Sequence, residues 1–319
     1  MSVNKDIFQR RRDFNYDFQS AGRQELQWNQ ATREADELVP THCSFCGVQC
    51  GMNLKVHDGK VIGVEPRNFP HNRGSLCPKG VVAYQQVDHP DRLRSPLMRR
   101  AGKGSQLERV SWDEALDYVV KRWQTLQAEY GRDAVAIYSG SSMTNEKCYV
   151  MGKFARAVLG TRHIDYNGRL CMSSAAVANA KALGIDRGTL PMTDIPLADC
   201  LMIFGSNVAE CFPIVMQWIW RARDKGARLI VVDPRETPIA RTADLWLPVR
   251  PGTDVALSNA ILRQVIHDGL VDEAYIRERT HGWEEVATAV EPYTPEVAQT
   301  ISGVPAERIL TAARLYGNA

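Results

Sequence analysis

Cys43, Cys46, Cys50 and Cys77 are spaced C-x2-C-x3-C-x26-C, the first three within THCSFCGVQCG and the last in SLCPKG. Four thiols in this pattern could form disulfides, close around zinc or hold an iron–sulfur cluster. Half of the 8 cysteines crowd into this one segment, unlike the even density of a small secreted disulfide scaffold. Structural zinc usually takes two close C-x2-C pairs. Three clustered thiols with one remote thiol suit a cubane better, one loop wrapping three irons and a distant thiolate taking the fourth. Gly47 and Gly51 follow the second and third thiols, leaving room for backbone near sulfide. Spacing favours the cluster and leaves zinc open.

Lys79 stands two positions beyond the last thiol. Alone it reads as a solvated side chain; beside a cluster, its charge could link that cluster to a second redox centre. Cys171, in NGRLCMSSAA, differs from the other cysteines by its neighbours. Arg169 and a Ser-Ser pair at an expected helix start would stabilise a thiolate there. Cys148, Cys200 and Cys211 read as buried small hydrophobes.

Three further loops carry binding chemistry. FGSN at 204–207 offers a glycine turn and a helix start suited to phosphate. VVDPRE at 231–236 offers Asp233 as acceptor for a purine or ribose and Arg235 as donor to phosphate. PGTD at 251–254 is a third turn opening a helix. Ligands of open α/β sheets bind at strand carboxyl ends, so three such loops in succession point to a nucleotide-bearing ligand, although no GxGxxG is present.

The elements that must position these residues follow from pattern. MNLKV and KVIGVEP flank Asp58-Gly59, a hairpin signal. Ser111 caps a helix carrying Trp112, Leu116, Val119, Val120 and Trp123, with Glu114 at the capping-box position and Gly131 as stop. AVAIYSGS reads as a strand and NEKCYVMGKFARAVLG as a helix. Beyond them, DCLMIF, ARLIVV and LWLPV are strands alternating with helices in PIVMQWIWRARDKG and DVALSNAILRQVIHDG. The expected class is α/β: a small N-terminal domain of short strands, then Rossmann-like domains with a parallel sheet covered on both faces. The expected segments are a polar extension over 1–41, the cysteine domain over 42–100, a first α/β part over 101–165 and a Rossmann-like nucleotide domain over 166–319.

With 319 residues, 44% hydrophobic and 24% charged, the chain can bury a sizeable core. A net charge of +2 gives no reason to expect nucleic acid as a partner, and no apolar run reaches the roughly 18 residues of a membrane span. QRRRDF superficially suggests twin-arginine export, but no apolar run follows it, so a cytoplasmic protein is expected.

Taken in order, C-x2-C-x3-C-x26-C with CPKG, GRLCMSSA, FGSN-x-AE, VVDPR and PGTD resemble the molybdopterin oxidoreductases, relatives of nitrate reductases and formate dehydrogenases. The resemblance runs from about Cys43 to the end of the chain. It implies a 4Fe–4S cluster on Cys43, Cys46, Cys50 and Cys77, with Lys79 between that cluster and a pterin. It further implies molybdenum ligated by Cys171 and carried by bis-molybdopterin guanine dinucleotide. Gly205, Ser206, Asn207, Glu210, Asp233, Arg235, Gly252, Thr253 and Asp254 match the dinucleotide loops.

RLCMSSA is similar to assimilatory nitrate reductases; formate dehydrogenases usually have histidine where Met172 stands. The segment from Asp233 to Ala319 resembles formate dehydrogenase just as much. The implied activity is reduction of nitrate, a small anionic substrate, by oxygen-atom transfer, with formate dehydrogenase the alternative. The implied electron partner is ferredoxin or a flavoprotein or iron–sulfur subunit. An electron-transfer subunit like the large iron–sulfur subunit of respiratory complex I would need the four cysteines but neither Cys171 nor the dinucleotide loops. Catalytic subunits of the family are longer, so the C-terminal pterin-binding domain is expected to be absent from this chain.

Overall fold

The structure, a computed structural model, describes residues 34–319. Its contacts divide the chain into two units, residues 34–89 with Leu190–Ala319, and Pro90–Thr189.

Three antiparallel strands, β1 (Glu37–His42), β2 (Gly51–His57) and β3 (Lys60–Pro66), open the first unit. Asp58 and Gly59 join β2 to β3 with φ of 48° and 68°, the left-handed pair whose twist matches a two-residue hairpin. β1 begins inside the segment expected to be a polar extension. Its proline, Pro40, is tolerated because β1 is the outer strand of the three. The rest of that expected extension, residues 1–33, lies outside the described residues. A loop over 67–76 then returns the chain to Cys77 and the one-turn helix α1 (Pro78–Val81).

In the second unit, the two-residue strands β4 (Leu97–Met98) and β5 (Glu108–Arg109) pair antiparallel. Helix α2 (Trp112–Tyr130) starts where the Ser111 hydroxyl accepts from the Glu114 N–H at 3.1 Å, and stops at Gly131 with φ 88°. β6 (Ile137–Ser139) runs parallel to β7 (Ile164–Tyr166). Between them, α3 (Asn145–Lys153) widens into a π-helical turn over Phe154–Leu159, which apolar periodicity does not reveal, before Gly160 ends it with φ 65°. The one-turn α4 (Gly168–Cys171) and α5 (Ser173–Leu183) complete this unit's helices.

The first unit resumes with β8 (Cys200–Phe204), α6 (Val208–Cys211), α7 (Met216–Asp224), β9 (Arg228–Val232) and β10 (Leu245–Leu247). The strands form a parallel sheet in the order β10–β9–β8. Helices α8 (Asp254–His267), α9 (Glu273–Arg279), α10 (Trp283–Val290), α11 (Pro295–Ser302) and α12 (Ala306–Gly317) follow. In the central strand Leu229, Ile230, Val231 and Val232 are all fully buried, as a strand covered on both faces must be. Ile230 and Val232 pack with Leu257, Ala260 and Ile261 of α8, Ala298 of α11, and Ile309 and Ala312 of α12. Leu229 and Val231 face the other way, onto Ile219 of α7 and Ile239 and Ala240. Each such side chain contributes about 1.5–3 kcal/mol by leaving water, and together they fix the sheet's carboxyl edge. Among the described residues no helix is long and apolar enough to cross a membrane.

Candidate cofactor-binding site

The four cysteines meet. Cys43, Cys46, Cys50 and Cys77 line one small cavity, together with Phe45, Val48, Leu76, Gly80 and the stretch Phe212–Ile214. All four are free thiols, Cys43 and Cys50 buried and the other two half-buried. The loop holding the first three is closed by its own backbone: the Cys43 N–H donates to the Cys50 carbonyl at 2.8 Å, and Gln49, at φ 51°, donates to Cys46 at 3.2 Å. The fully buried Asn72 brings Cys77 back. Its Oδ1 accepts from the Gly51 N–H at 3.1 Å, and its Nδ2 donates to Gly51, Arg67 and Ser75 carbonyls at 3.2, 3.1 and 2.9 Å.

Gly47 faces open space, and the space beside Gly51 is taken by the Phe69 ring. A Cβ on Gly51 would meet the Phe69 Cβ at 2.8 Å, and one on Gly80 would stand 3.3 Å from Leu76 and 3.8 Å from the Cys43 sulfur.

The spread of the sulfurs decides between metals. Around one zinc, at Zn–S near 2.3 Å, tetrahedral sulfurs would sit about 3.8 Å apart. No three of these sulfurs lie within 4.8 Å of one another. The four sulfurs are not drawn together as around one ion, and their spread suits a cluster, whose thiolates would bind different irons. The sulfurs also act on one another electrostatically. Burial pushes the Cys50 thiol up to about 11, reinforced by the other three sulfurs. Burial also raises Cys43, offset in part by a hydrogen bond from the Phe45 backbone and, more weakly, by the Lys79 charge.

Lys79 joins this cavity to the sheet. From α1 its ammonium donates to the carbonyls of Glu210 and Cys211, at 3.0 and 3.1 Å, at the end of α6. The next residue, Phe212, begins the segment that walls the cysteine cavity. Behind that wall, the buried Trp218 donates its Nε1–H to the His71 carbonyl at 2.9 Å, tying α7 to the loop before Cys77.

The carboxyl ends of β8, β9 and β10 share one edge because the strands are parallel neighbours. Gly205 leaves β8 at φ 55° and bonds back to the Val232 carbonyl at 2.8 Å. The helix expected from Pro213 opens as a 3-10 turn over Pro213–Val215 and continues as α7, while FGSN itself leads only into the single turn α6. A helix start for phosphate is therefore not what FGSN supplies. Asn207 donates its Nδ2–H to the Glu210 carboxylate. After β9, the buried Asp233 accepts from the Arg235 N–H at 2.8 Å through Oδ1, and its carbonyl accepts from Trp246 Nε1 at 2.8 Å. Arg235 is exposed, and its guanidinium has no partner among the described residues. Gly252 turns at φ 83°, and Thr253 and Asp254 open α8. Arg250 anchors that turn by donating to the Thr300 carbonyl at 3.1 Å.

Cys171 belongs to the other unit. It is exposed, ends α4 five residues past β7, and its N–H donates to the Asn167 carbonyl at 3.1 Å. The turn is tight: a Cβ on Gly168 would meet the Tyr166 ring at 2.3 Å. The expected thiolate stabilisation by Arg169 needs correction, since that guanidinium holds Asp165 at 2.7 Å. Cys148 and Cys211, expected to be buried, are exposed; Cys200 packs on the core as expected.

Residues 36–89 match the family described as molybdopterin oxidoreductase Fe4S4 domain, and residues 92–317 match molybdopterin oxidoreductase. The α subunit of F420-dependent formate dehydrogenase 1 from Methanococcus maripaludis is 41% identical over 284 residues, covering 89% of this chain and 41% of that protein. The assimilatory nitrate reductase catalytic subunit of Bacillus subtilis is 41% identical over 258 residues, covering 79% and 36%. Acetylene hydratase from Pelobacter acetylenicus has a similar structure, with a TM-score of 0.70, 28% identity, and coverage of 86% of this chain and 38% of that one. The chain thus spans about two fifths of the length of these relatives.

Proposed function

The chain belongs to the molybdopterin oxidoreductases, and from that membership we propose that it is part of a catalytic subunit reducing nitrate to nitrite. Its cofactors are those of the two matched domains, a 4Fe–4S cluster and molybdenum with molybdopterin. When bound, these supply oxygen-atom transfer from nitrate and the relay of two electrons to it.

The chain's own residues bind and orient. Cys43, Cys46, Cys50 and Cys77 would hold the cluster in their apolar cavity, and Cys171 the molybdenum. Gly205, Ser206, Asn207, Glu210, Asp233, Arg235, Gly252, Thr253 and Asp254 would hold a guanine dinucleotide along the sheet edge. There Asp233 accepts from the nucleoside and Arg235 neutralises phosphate; a bis-dinucleotide form of the cofactor is part of the proposal. Lys79 is the observation that carries the assignment, because its ammonium bonds the loop after β8 from a helix that begins at a cluster ligand. With a cluster on those cysteines and a pterin along this loop, its positive charge would lie between the two. Ferredoxin or a flavoprotein or iron–sulfur subunit would deliver the electrons, in the cytoplasm.

Nitrate is favoured by Met172, which follows Cys171 and supplies no imidazole for a substrate proton. Formate oxidation is the second reading, favoured by the 41% identity over 284 residues to a formate dehydrogenase subunit. Assays of the gene product with nitrate and a reduced artificial carrier, and with formate and an oxidised one, decide between them. Nitrite formation without formate turnover is expected; formate turnover alone would reverse the assignment.

A further inference from the structure

The loop that returns the chain to Cys77 is braced on one side by α7. It closes on itself where the Arg73 N–H donates to the Phe69 carbonyl at 2.8 Å and the Ser75 N–H to the Asn72 carbonyl at 2.9 Å. At its centre the His71 carbonyl accepts from two side chains of α7, Trp218 at 2.9 Å and Gln217 at 3.3 Å. Trp218 is itself fixed. It is 2% exposed, and the guanidinium carbons of Arg73 and Arg221 lie 5.5 and 5.0 Å from its ring centre.

The same loop grips the cysteine segment on its other side. His71 Nε2 lies 3.1 Å from the Gln49 carbonyl oxygen; a carbonyl can only accept, so the ring donates through Nε2. Phe69 meets the half-buried imidazole edge-on, ring centres 5.0 Å apart and planes at 83°. The next residue, Asn72, holds the N–H and carbonyl of Gly51. Gln49 and Gly51 flank Cys50, so two consecutive loop residues grip the chain on either side of that thiol. The grip on Gln49 has a local reason: its φ of 51° is left-handed, a region unfavourable for a residue with a Cβ. No spacing in the sequence relates His71 to Gln49, 22 residues earlier.

We propose that His71 is a positioning residue for the cluster: its ring, seated on α7 through Trp218, holds the left-handed turn at Gln49 and thereby sets the place of the Cys50 sulfur. It touches no ligand sulfur and acts through the Gln49 carbonyl. The inference rests on the assignment of a 4Fe–4S cluster to Cys43, Cys46, Cys50 and Cys77 and deepens it.

The test uses the full gene product isolated free of oxygen. His71→Phe keeps an aromatic ring beside Phe69 but removes the N–H, and His71→Gln returns an N–H donor at about the reach of Nε2. Iron release to excess chelator, followed by visible absorbance, should be about two- to tenfold faster in His71→Phe, the range of one hydrogen bond. His71→Gln should release iron at close to the wild-type rate. The electron paramagnetic resonance of the reduced cluster should shift its g values in His71→Phe and recover them in His71→Gln. Trp218→Phe, which removes the donor to the His71 carbonyl, should shift the same signal and carries the test if His71→Phe does not fold. Iron release and resonance unchanged in His71→Phe would overturn the inference while the cluster assignment stands. A lower melting temperature with both unchanged shows that the ring only steadies the fold, and overturns it too. A wild-type protein isolated without iron overturns the cluster assignment and this inference with it.

Discussion

The ammonium of Lys79 lies 3.0 Å from the main-chain carbonyl oxygen of Glu210, joining a helix that starts at a cysteine of the cluster cavity to the loop that leaves β8. A second bond, to the Cys211 carbonyl at 3.1 Å, makes the contact a two-point clamp. Lys79→Met should release α6 and the wall residues Phe212–Ile214. Two exposed charge-assisted hydrogen bonds should cost about 1–2 kcal/mol together. Limited proteolysis is expected to cut sooner within residues 205–214, with iron retained. Unchanged cleavage there would show that the clamp does not hold the loop.

The metal-free cavity should respond to alkali in a definite direction. Cys50 is raised from its ordinary 9.0 to about 11 by burial and by its three sulfur neighbours. A group whose folded pKa is raised stabilises the fold fully below the unfolded value and loses that contribution as pH climbs through the folded one. Denaturant unfolding of the iron-free protein should therefore show stability falling between pH 9.0 and about 11, and Cys50→Ser should flatten the decline. Iron loading reverses the preference, because metal binds the thiolate.

Cys171→Ser should abolish molybdenum retention and nitrate turnover while leaving iron bound, since Cys171 lies outside the cysteine cavity. Elemental analysis of the variant checks this. Molybdenum kept at the wild-type level with activity intact would remove Cys171 from the site.

The amino-terminal ends of β9 and β10 rest on Asp244. Its carboxylate accepts from the Leu229 N–H at 2.8 Å and pairs with Arg223 and Arg228. Burial works to raise this carboxyl, but the Leu229 bond and the two guanidinium groups outweigh it and leave the pKa below 3.8. Its contribution is thus complete above 3.8 and is lost as pH falls through the lower folded value. Asp244→Asn should cost about 1 kcal/mol at neutral pH, and the difference from wild type should shrink in acid. A constant difference across that range would contradict the pairing.

Local chemistry was the legible part of this protein. Asp58-Gly59 dictated the hairpin, Ser111 with Glu114 the start of α2, and the apolar runs the strands of the buried sheet, because each depends on neighbours in sequence. The four cysteines and Lys79 were visible for the same reason. What escaped notice is long-range. Asn72 acts across 21 residues to hold Gly51, and Phe212–Ile214 reach the cysteine cavity only through the fold. Arg169 misled because its partner, Asp165, could not be weighed against Cys171 from spacing alone. The exposure of Cys148 and Cys211 was hidden likewise, since a free cysteine's surroundings are not written in its neighbours.

Elemental analysis of the protein after oxygen-free isolation tests the central claim most directly. The account predicts iron in the proportion of a 4Fe–4S cluster, with visible absorbance and bound molybdenum. Iron should be lost when Cys43, Cys46, Cys50 or Cys77 becomes serine and kept when Cys148 or Cys211 does. A colourless protein holding zinc, or one with iron and no molybdenum, would contradict it.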